Sequence, residues 1–129
     1  MRANEESKLQ QACVKWFQLA YPQQWKDRLL FAIPNGGKRG KITAANMKRE
    51  GQRPGVADMF LSVTAGGQSP ISNEYLHPGL YIEFKTDKGR QSEAQKEFEV
   101  AVKRQGYKYE IVRSLEEFME VVHSYMADA

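Results

Sequence analysis

The segment from Leu80 to Asp87 constrains the fold more than any other part of the chain. Its residues alternate with the period of two that is typical of a β-strand with one face in the core. Ile82 and Phe84 share the core face, and Glu83 and Lys85 share the opposite face. The pattern therefore predicts an acidic and a basic side chain next to each other on one strand.

A second carboxylate, Asp58, stands at the head of another apolar segment. Carboxylate oxygens are the ligands that hard divalent cations prefer, and such a cation can activate water for attack on a phosphodiester. Asp58 and Glu83 are therefore candidate metal ligands, and Lys85 is a candidate for positioning the attacking water. Taken alone, Glu83 and Lys85 are more simply explained as a solvent-exposed ion pair, and Asp58 is equally well explained as a turn residue.

Hydrophobic periodicity and turn residues divide the chain into alternating helices and strands. Gly106 ends the third predicted helix, and Thr43 and Gly51 are the predicted N-cap and terminator of the short second one. This order predicts an α/β fold, with a mixed central sheet of about four strands flanked by helices, and one domain over residues 1–129. The predicted helices cover residues 4–20, 43–50, 92–105 and 114–125, and the predicted strands cover residues 29–33, 58–63, 80–85 and 108–112.

Basic residues are concentrated between Gly36 and Arg53. The net charge of the whole chain is only +3, but this segment contains Glu50 as its single acidic residue. A local excess of positive charge predicts contacts with phosphates, although the two basic residues at the end of a helix also suit the helix dipole. The expected DNA-binding residues are Asn35, Lys38, Arg39, Lys41, Lys48, Arg49 and Arg53.

Composition and spacing also exclude several classes of protein. Gly36 to Lys41 has the wrong spacing for a phosphate-binding nucleotide loop and lacks its Ser or Thr, so no nucleotide cofactor is expected. The single cysteine, Cys13, cannot form an intrachain disulfide. We therefore expect a buried thiol and a cytoplasmic protein. No apolar segment is long enough to span a membrane, so no membrane partner is expected.

Taken together and in order, these residues resemble the VRR-NUC (virus-type replication-repair nuclease) branch of the PD-(D/E)XK nuclease superfamily. The landmarks extend over nearly the whole chain, from about residue 5 to residue 125. The chain departs from the superfamily pattern at Ala57, where proline usually precedes the aspartate, but that proline supplies no chemistry. The landmarks are Glu6 with Gln10, residues 33–37, Gly51, residues 54–58, residues 79–85, residues 89–92 and Gln95.

The resemblance implies an endonuclease that uses Mg²⁺ or Mn²⁺. It makes the main-chain carbonyl of Phe84 a further metal ligand, and it selects Glu6 over Glu5, between which periodicity does not decide. Glu6 would act as a third carboxylate or would bind a metal-bound water. Gln95 has two roles open to it, as a site residue or as part of a capping box with Ser92. One metal ion and two metal ions both remain open.

The resemblance also bears on the substrate. Small stand-alone VRR-NUC proteins resemble phage enzymes that act as homodimers on four-way DNA junctions, where a two-fold enzyme places two sites on two symmetric strands. A Holliday-junction resolvase that acts as a homodimer is thus the leading expectation. A nuclease directed to flaps or nicks, and a DNA-binding module that does not cut, are the alternatives. The second alternative is less favoured because Glu6, Asp58, Glu83 and Lys85 are all present.

Overall fold

A computed structural model of the chain describes the backbone of residues 2–34, 41–66 and 76–129. Within these ranges it contains five helices and four strands. The helices are α1 (Arg2–Ala20), α2 (Pro22–Lys26), α3 (Lys41–Arg49), α4 (Glu93–Arg104) and α5 (Leu115–Ala127). The strands are β1 (Leu30–Ala32), β2 (Met59–Leu61), β3 (Leu80–Phe84) and β4 (Lys108–Val112). No helix in the described part of the chain is both long enough and apolar enough to cross a membrane.

The four strands form one mixed sheet in the order β1-β2-β3-β4. The first three are antiparallel neighbours, and β4 runs parallel to β3 after the crossover through α4. Met59 pairs with Ile82, and the Asp58 N–H donates to the Ile82 carbonyl at 3.0 Å. This register places Asp58 beside the end of β3. The mixed sheet flanked by helices confirms the predicted fold class.

Helices α1 and α5 cover one face of the sheet. Phe17 from α1 and Phe118 from α5 are fully buried with Ile82 and Phe84, and the rings of Phe84 and Phe118 lie 6.0 Å apart. The prediction that Ile82 and Phe84 face the core is confirmed. Cys13 is also buried there, and burial, assisted by the charge of Glu116, raises the pKa of its thiol to about 12.

Helix α4 covers the opposite face of β3 and β4. Its Phe98 packs edge-to-face on Tyr81 and Tyr109, with ring centroids 5.1 Å and 6.2 Å apart. Ser92 is the N-cap, and Gly106, with φ of +97°, follows the C-cap, as the sequence predicts. The polar residues of β3 therefore lie beneath α4 and not in open solvent.

Two local features differ from the prediction. Helix α2 was not predicted, because five residues are too few to show a helical period; Pro22 ends α1 and also starts α2, where its missing N–H costs nothing. Helix α3 begins at Lys41, so Thr43 lies inside the first turn and is not the N-cap. Residues 41–43 include no glycine or proline, so the helical backbone can begin before Thr43. Gly51 ends this helix as predicted, with φ of +106°.

Candidate active site

Glu83 is the centre of the site. It points to the face of β3 opposite the core, yet none of its surface is exposed to solvent. The interpretation of Glu83 and Lys85 as an exposed ion pair is therefore wrong. A buried carboxylate is costly unless other groups compensate its charge and its lost hydration. The contacts of its two oxygens show how far this compensation goes.

The Oε1 atom of Glu83 accepts two hydrogen bonds. The Tyr109 hydroxyl donates a short one, and Gln91 Nε2 donates the other at 3.2 Å. Tyr109 comes close because it pairs with Tyr81 on the parallel strand β3. Burial, reinforced by the Glu83 carboxylate, raises the pKa of Tyr109, so its hydroxyl stays protonated and can donate.

The Oε2 atom of Glu83 has a different environment. It is buried and has no hydrogen-bond donor among the described residues. Among the described residues, the cation paired with it is Lys85, whose Nζ lies 3.8 Å away, which is too long for a hydrogen bond. The Lys85 side chain is itself only 13 % exposed. One oxygen of Glu83 is thus saturated, and the other faces the lysine without a donor.

Asp58 is held against the same strand. Its Oδ2 atom accepts a hydrogen bond of 2.7 Å from the Phe84 N–H. Burial raises the pKa of Asp58, the Phe84 hydrogen bond acts to lower it, and the charges of Glu83 and Glu6 raise it further. The charge of Lys85 acts in the opposite direction. These four charged side chains therefore form one electrostatic cluster at the end of β3.

The two glutamates of the first turns of α1 occupy different places. Glu6 is half-buried and its charge acts on Asp58, whereas Glu5 is exposed and lines a groove with Thr86, Lys88 and Arg113. Within the described ranges, no three Asp, Glu, His or Cys side chains are close enough to share one metal ion. The structure thus does not form the predicted three-carboxylate arrangement, and a contact of Glu6 through a metal-bound water stays a prediction.

Gln95 takes part in the capping box of α4. Its Oε1 atom accepts from the Ser92 N–H at 2.8 Å, and its own N–H donates to the Ser92 hydroxyl at 3.1 Å. The glutamine that contacts Glu83 is Gln91. A site role for Gln95 stays a prediction, while its capping role is confirmed.

Arg113 fixes the turn that follows Lys85. Its guanidinium donates to the carbonyls of Thr86 at 2.7 Å and Gly89 at 2.8 Å, and more weakly to that of Asp87 at 3.3 Å. Arg113, Tyr109 and Gln91 were not predicted as site residues. Tyr109 and Arg113 reach the site through the pairing of β4 with β3, and Gln91 reaches it from the connection between β3 and α4. No local sequence pattern shows these contacts.

The predicted DNA-binding residues are described only in part. Asn35, Lys38 and Arg39 lie outside the described residues. Lys41 is described only in its backbone, as the first residue of α3. The side chains of Lys48, Arg49 and Arg53 are exposed, with Lys48 and Arg49 in the last turn of α3. The Arg49 guanidinium donates to the Asn46 side chain.

The residues at the end of β3 fit a hard divalent cation. A buried carboxylate oxygen without a donor is rare in folded proteins, and a bound ion is one of the common reasons for such an atom. Glu83 Oε2 is such an atom, and the Asp58 carboxylate is close enough for the two charges to interact. Oxygen ligands of this type are the ones that Mg²⁺ and Mn²⁺ prefer.

The fold is a mixed α/β sheet with two acidic side chains and a lysine at the end of one strand. The family model of the VRR-NUC domain matches residues 4–116. The chain belongs to the VRR-NUC domain family, and a nuclease-type function with DNA as its partner follows from this membership. The family generally uses divalent metal ions.

A solved structure named "VRR_NUC domain protein" is similar to this chain, with a TM-score of 0.70 and 22% sequence identity. The similarity covers 95% of this chain and 88% of that chain. At this identity, the likeness supports the fold alone. A comparison with curated proteins gives no match.

Proposed function

We propose that this protein is an endonuclease that hydrolyses phosphodiester bonds in branched DNA with the help of Mg²⁺ or Mn²⁺. The observation that carries the proposal is the fully buried Glu83, whose Oε2 atom has no hydrogen-bond donor among the described residues and faces Lys85. Such an atom destabilises the fold, so stability alone does not account for it. A cation-binding site next to Asp58 does account for it.

The proposed chemistry assigns each residue of the cluster a task. Asp58 and Glu83 would hold the cation, together with the Phe84 carbonyl and, through water, Glu6. The bound cation supplies a water of lowered pKa and neutralises charge on the phosphate. Lys85 would position the attacking water. It would also donate a hydrogen bond to the phosphate oxygens, on which negative charge develops. The Phe84 N–H fixes Asp58, and Arg113 fixes the turn that follows Lys85.

DNA binding is assigned to the basic segment that precedes β2. The exposed side chains of Lys48, Arg49 and Arg53 would contact phosphates. We include Asn35, Lys38, Arg39 and Lys41 in the same surface on the basis of the sequence. Contacts of this kind supply affinity that does not depend on sequence and that weakens as the salt concentration rises.

The favoured substrate is a four-way DNA junction, cut by a homodimer. The support is the resemblance of this chain to small stand-alone VRR-NUC nucleases. A two-fold dimer presents two copies of the site to two symmetric strands, which suits paired incisions.

A panel of labelled DNA substrates tests this function. We expect paired symmetric cuts in a four-way junction, and weaker cutting of flap, nicked duplex, linear duplex and single strand, with Mg²⁺ or Mn²⁺ present. The mass of the protein in solution should be that of a dimer. The matched control is Asp58→Asn, which keeps an acceptor for the Phe84 N–H and removes the charge.

The other outcomes separate the parts of the proposal. Cutting confined to flaps or nicks would retain the chemistry and replace the junction as substrate. Tight binding to DNA without cleavage of any substrate in the panel would contradict catalysis. The protein would then be a DNA-binding module.

A further inference from the structure

We propose that Tyr109 and Gln91 are positioning residues that fix the plane of the Glu83 carboxylate, so that one of its oxygens faces the bound cation without a competing donor. The inference rests on the proposed metal-dependent function. The last torsion of a glutamate side chain is broad, so the carboxylate of Glu83 has no strong orientation of its own. Its orientation must come from the groups around it.

The two donors approach Glu83 from different elements and converge on the same oxygen. Tyr109 belongs to β4, and Gln91 belongs to the connection between β3 and α4. Both donate to Oε1, and neither donates to Oε2. The two oxygens are chemically equivalent, so a half-turn of the carboxylate restores the same contacts, whereas a smaller rotation would weaken both hydrogen bonds and turn Oε2 away from Lys85. The two hydrogen bonds therefore keep Oε2 available on the side of Lys85.

Gln91 is itself held in place by a second carboxylate. Its Nε2 atom donates to Glu99 Oε1 at 2.9 Å as well as to Glu83, which uses both amide hydrogens. Lys103 Nζ lies 2.6 Å from Glu99 Oε2. Burial acts to raise the pKa of Glu99, but the hydrogen bonds from Lys103 and Gln91 lower it overall, so Glu99 stays an ionised acceptor. A chain of contacts thus extends from Glu83 to the surface of α4.

A competing role for Tyr109 and Gln91 is that they only compensate the burial of Glu83 and so stabilise the fold. The two roles differ in what they predict for metal binding. Groups that hydrogen-bond a metal ligand typically change metal affinity or activity by about tenfold to a hundredfold when they are removed. Groups that only stabilise the fold change the melting temperature and leave the affinity of the folded protein for the metal ion unchanged.

The test uses Tyr109→Phe and Gln91→Met, which remove the donors and keep most of the side-chain volume. We measure Mn²⁺ binding by calorimetry without DNA, the Mn²⁺ concentration that gives half-maximal cleavage, and the melting temperature. Each variant is expected to bind Mn²⁺ about tenfold to a hundredfold more weakly and to need correspondingly more Mn²⁺ for cleavage. The matched control is Tyr107→Phe, whose ring packs on Phe60 and Tyr81. It should bind Mn²⁺ like the wild type.

Gln91→Met keeps the test decisive even if Tyr109→Phe does not fold, because Gln91 lies in a connection outside the helices and strands. Wild-type Mn²⁺ affinity in a folded Gln91→Met or Tyr109→Phe protein would overturn the positioning role and leave the proposed nuclease intact. If instead the wild type bound no Mn²⁺, or bound it no better than Asp58→Asn, the metal site and the positioning role would both be overturned.

Discussion

Asp58 is held in a position that opposes its ionisation. Its pKa is raised chiefly by burial and further by the charges of Glu83 and Glu6, although the Phe84 hydrogen bond acts against this. The folded protein therefore binds the Asp58 proton more tightly than the unfolded chain does. By linkage, this group makes the free energy of unfolding fall as the pH rises through its raised pKa. In the absence of a cation, the ionised Asp58 side chain thus lowers the free energy of unfolding.

The variant Asp58→Asn should therefore be more stable than the wild type at neutral pH when a chelator removes metal ions. The amide keeps an acceptor for the Phe84 N–H but carries no charge near Glu83. The gain in melting temperature should shrink as the pH is lowered below the Asp58 pKa, because the wild-type side chain is then also neutral. Thermal unfolding over a pH series measures this difference. A variant that melts below the wild type at neutral pH would show that the charge of Asp58 stabilises the fold.

The sequence also shows which residues of the site local patterns can and cannot find. Asp58, Glu83 and Lys85 stand beside apolar strand residues and carry the charges that metal chemistry needs, so pattern and chemistry make them candidates. The family resemblance is what favours them over an exposed ion pair and a turn residue. Tyr109 carries no such mark, and Gln91 stands out only as part of the family landmark at residues 89–92. Tyrosine on a half-buried strand and glutamine before a helix are ordinary residues, and only the folded contact with Glu83 gives them a role.

Among the elements, helix α4 shows most clearly how local sequence fixes a boundary. Its capping box and its terminal glycine are short-range signals, and both were predicted. On its exposed face, Lys96 pairs with Glu93 at a spacing of i,i+3, and Lys103 pairs with Glu99 at a spacing of i,i+4. Such pairs contribute little to the free energy of unfolding. The start of α3 was predicted less well, because Thr43 resembles a cap but lies inside the helix.

The two roles open to Gln95 can be separated by Gln95→Glu and Gln95→Ala. Glutamate serves a capping box as well as glutamine does, so Gln95→Glu should retain both stability and cleavage. Gln95→Ala should lose about 0.5–1.5 kcal/mol of unfolding free energy, the net value of one hydrogen bond, with cleavage by the folded protein unchanged. Denaturant unfolding and a cleavage assay measure the two effects. Loss of cleavage in Gln95→Glu at wild-type stability would assign Gln95 to the site instead.

At the scale of the whole molecule, the site exists because the sheet brings distant segments together. The antiparallel pairing of β2 with β3 places Asp58 beside Phe84, and the parallel crossover through α4 places Tyr109 beside Glu83. Helix α1 adds the charge of Glu6 from the other end of the chain. The strands and the helices other than α2 were predictable from local sequence patterns. These pairings were not, because a local pattern carries no information on which strands become neighbours. The family resemblance, and not periodicity, selected Glu6 over Glu5.

The proposed role of Asp58 and Glu83 is to form a metal-dependent phosphodiester-cleaving site. Its most direct test is the single-turnover cleavage rate as a function of Mg²⁺ and Mn²⁺ concentration, for the wild type, Asp58→Asn and Glu83→Gln, with DNA binding measured in parallel. We expect cleavage by the wild type only when metal is present. Both variants should be slower by about a thousandfold or more while still binding DNA, since charge stabilisation by a metal ion contributes several kcal/mol and about 1.4 kcal/mol is tenfold in rate. Cleavage by the wild type in excess chelator, or by either variant at the wild-type rate, would rule out this metal site.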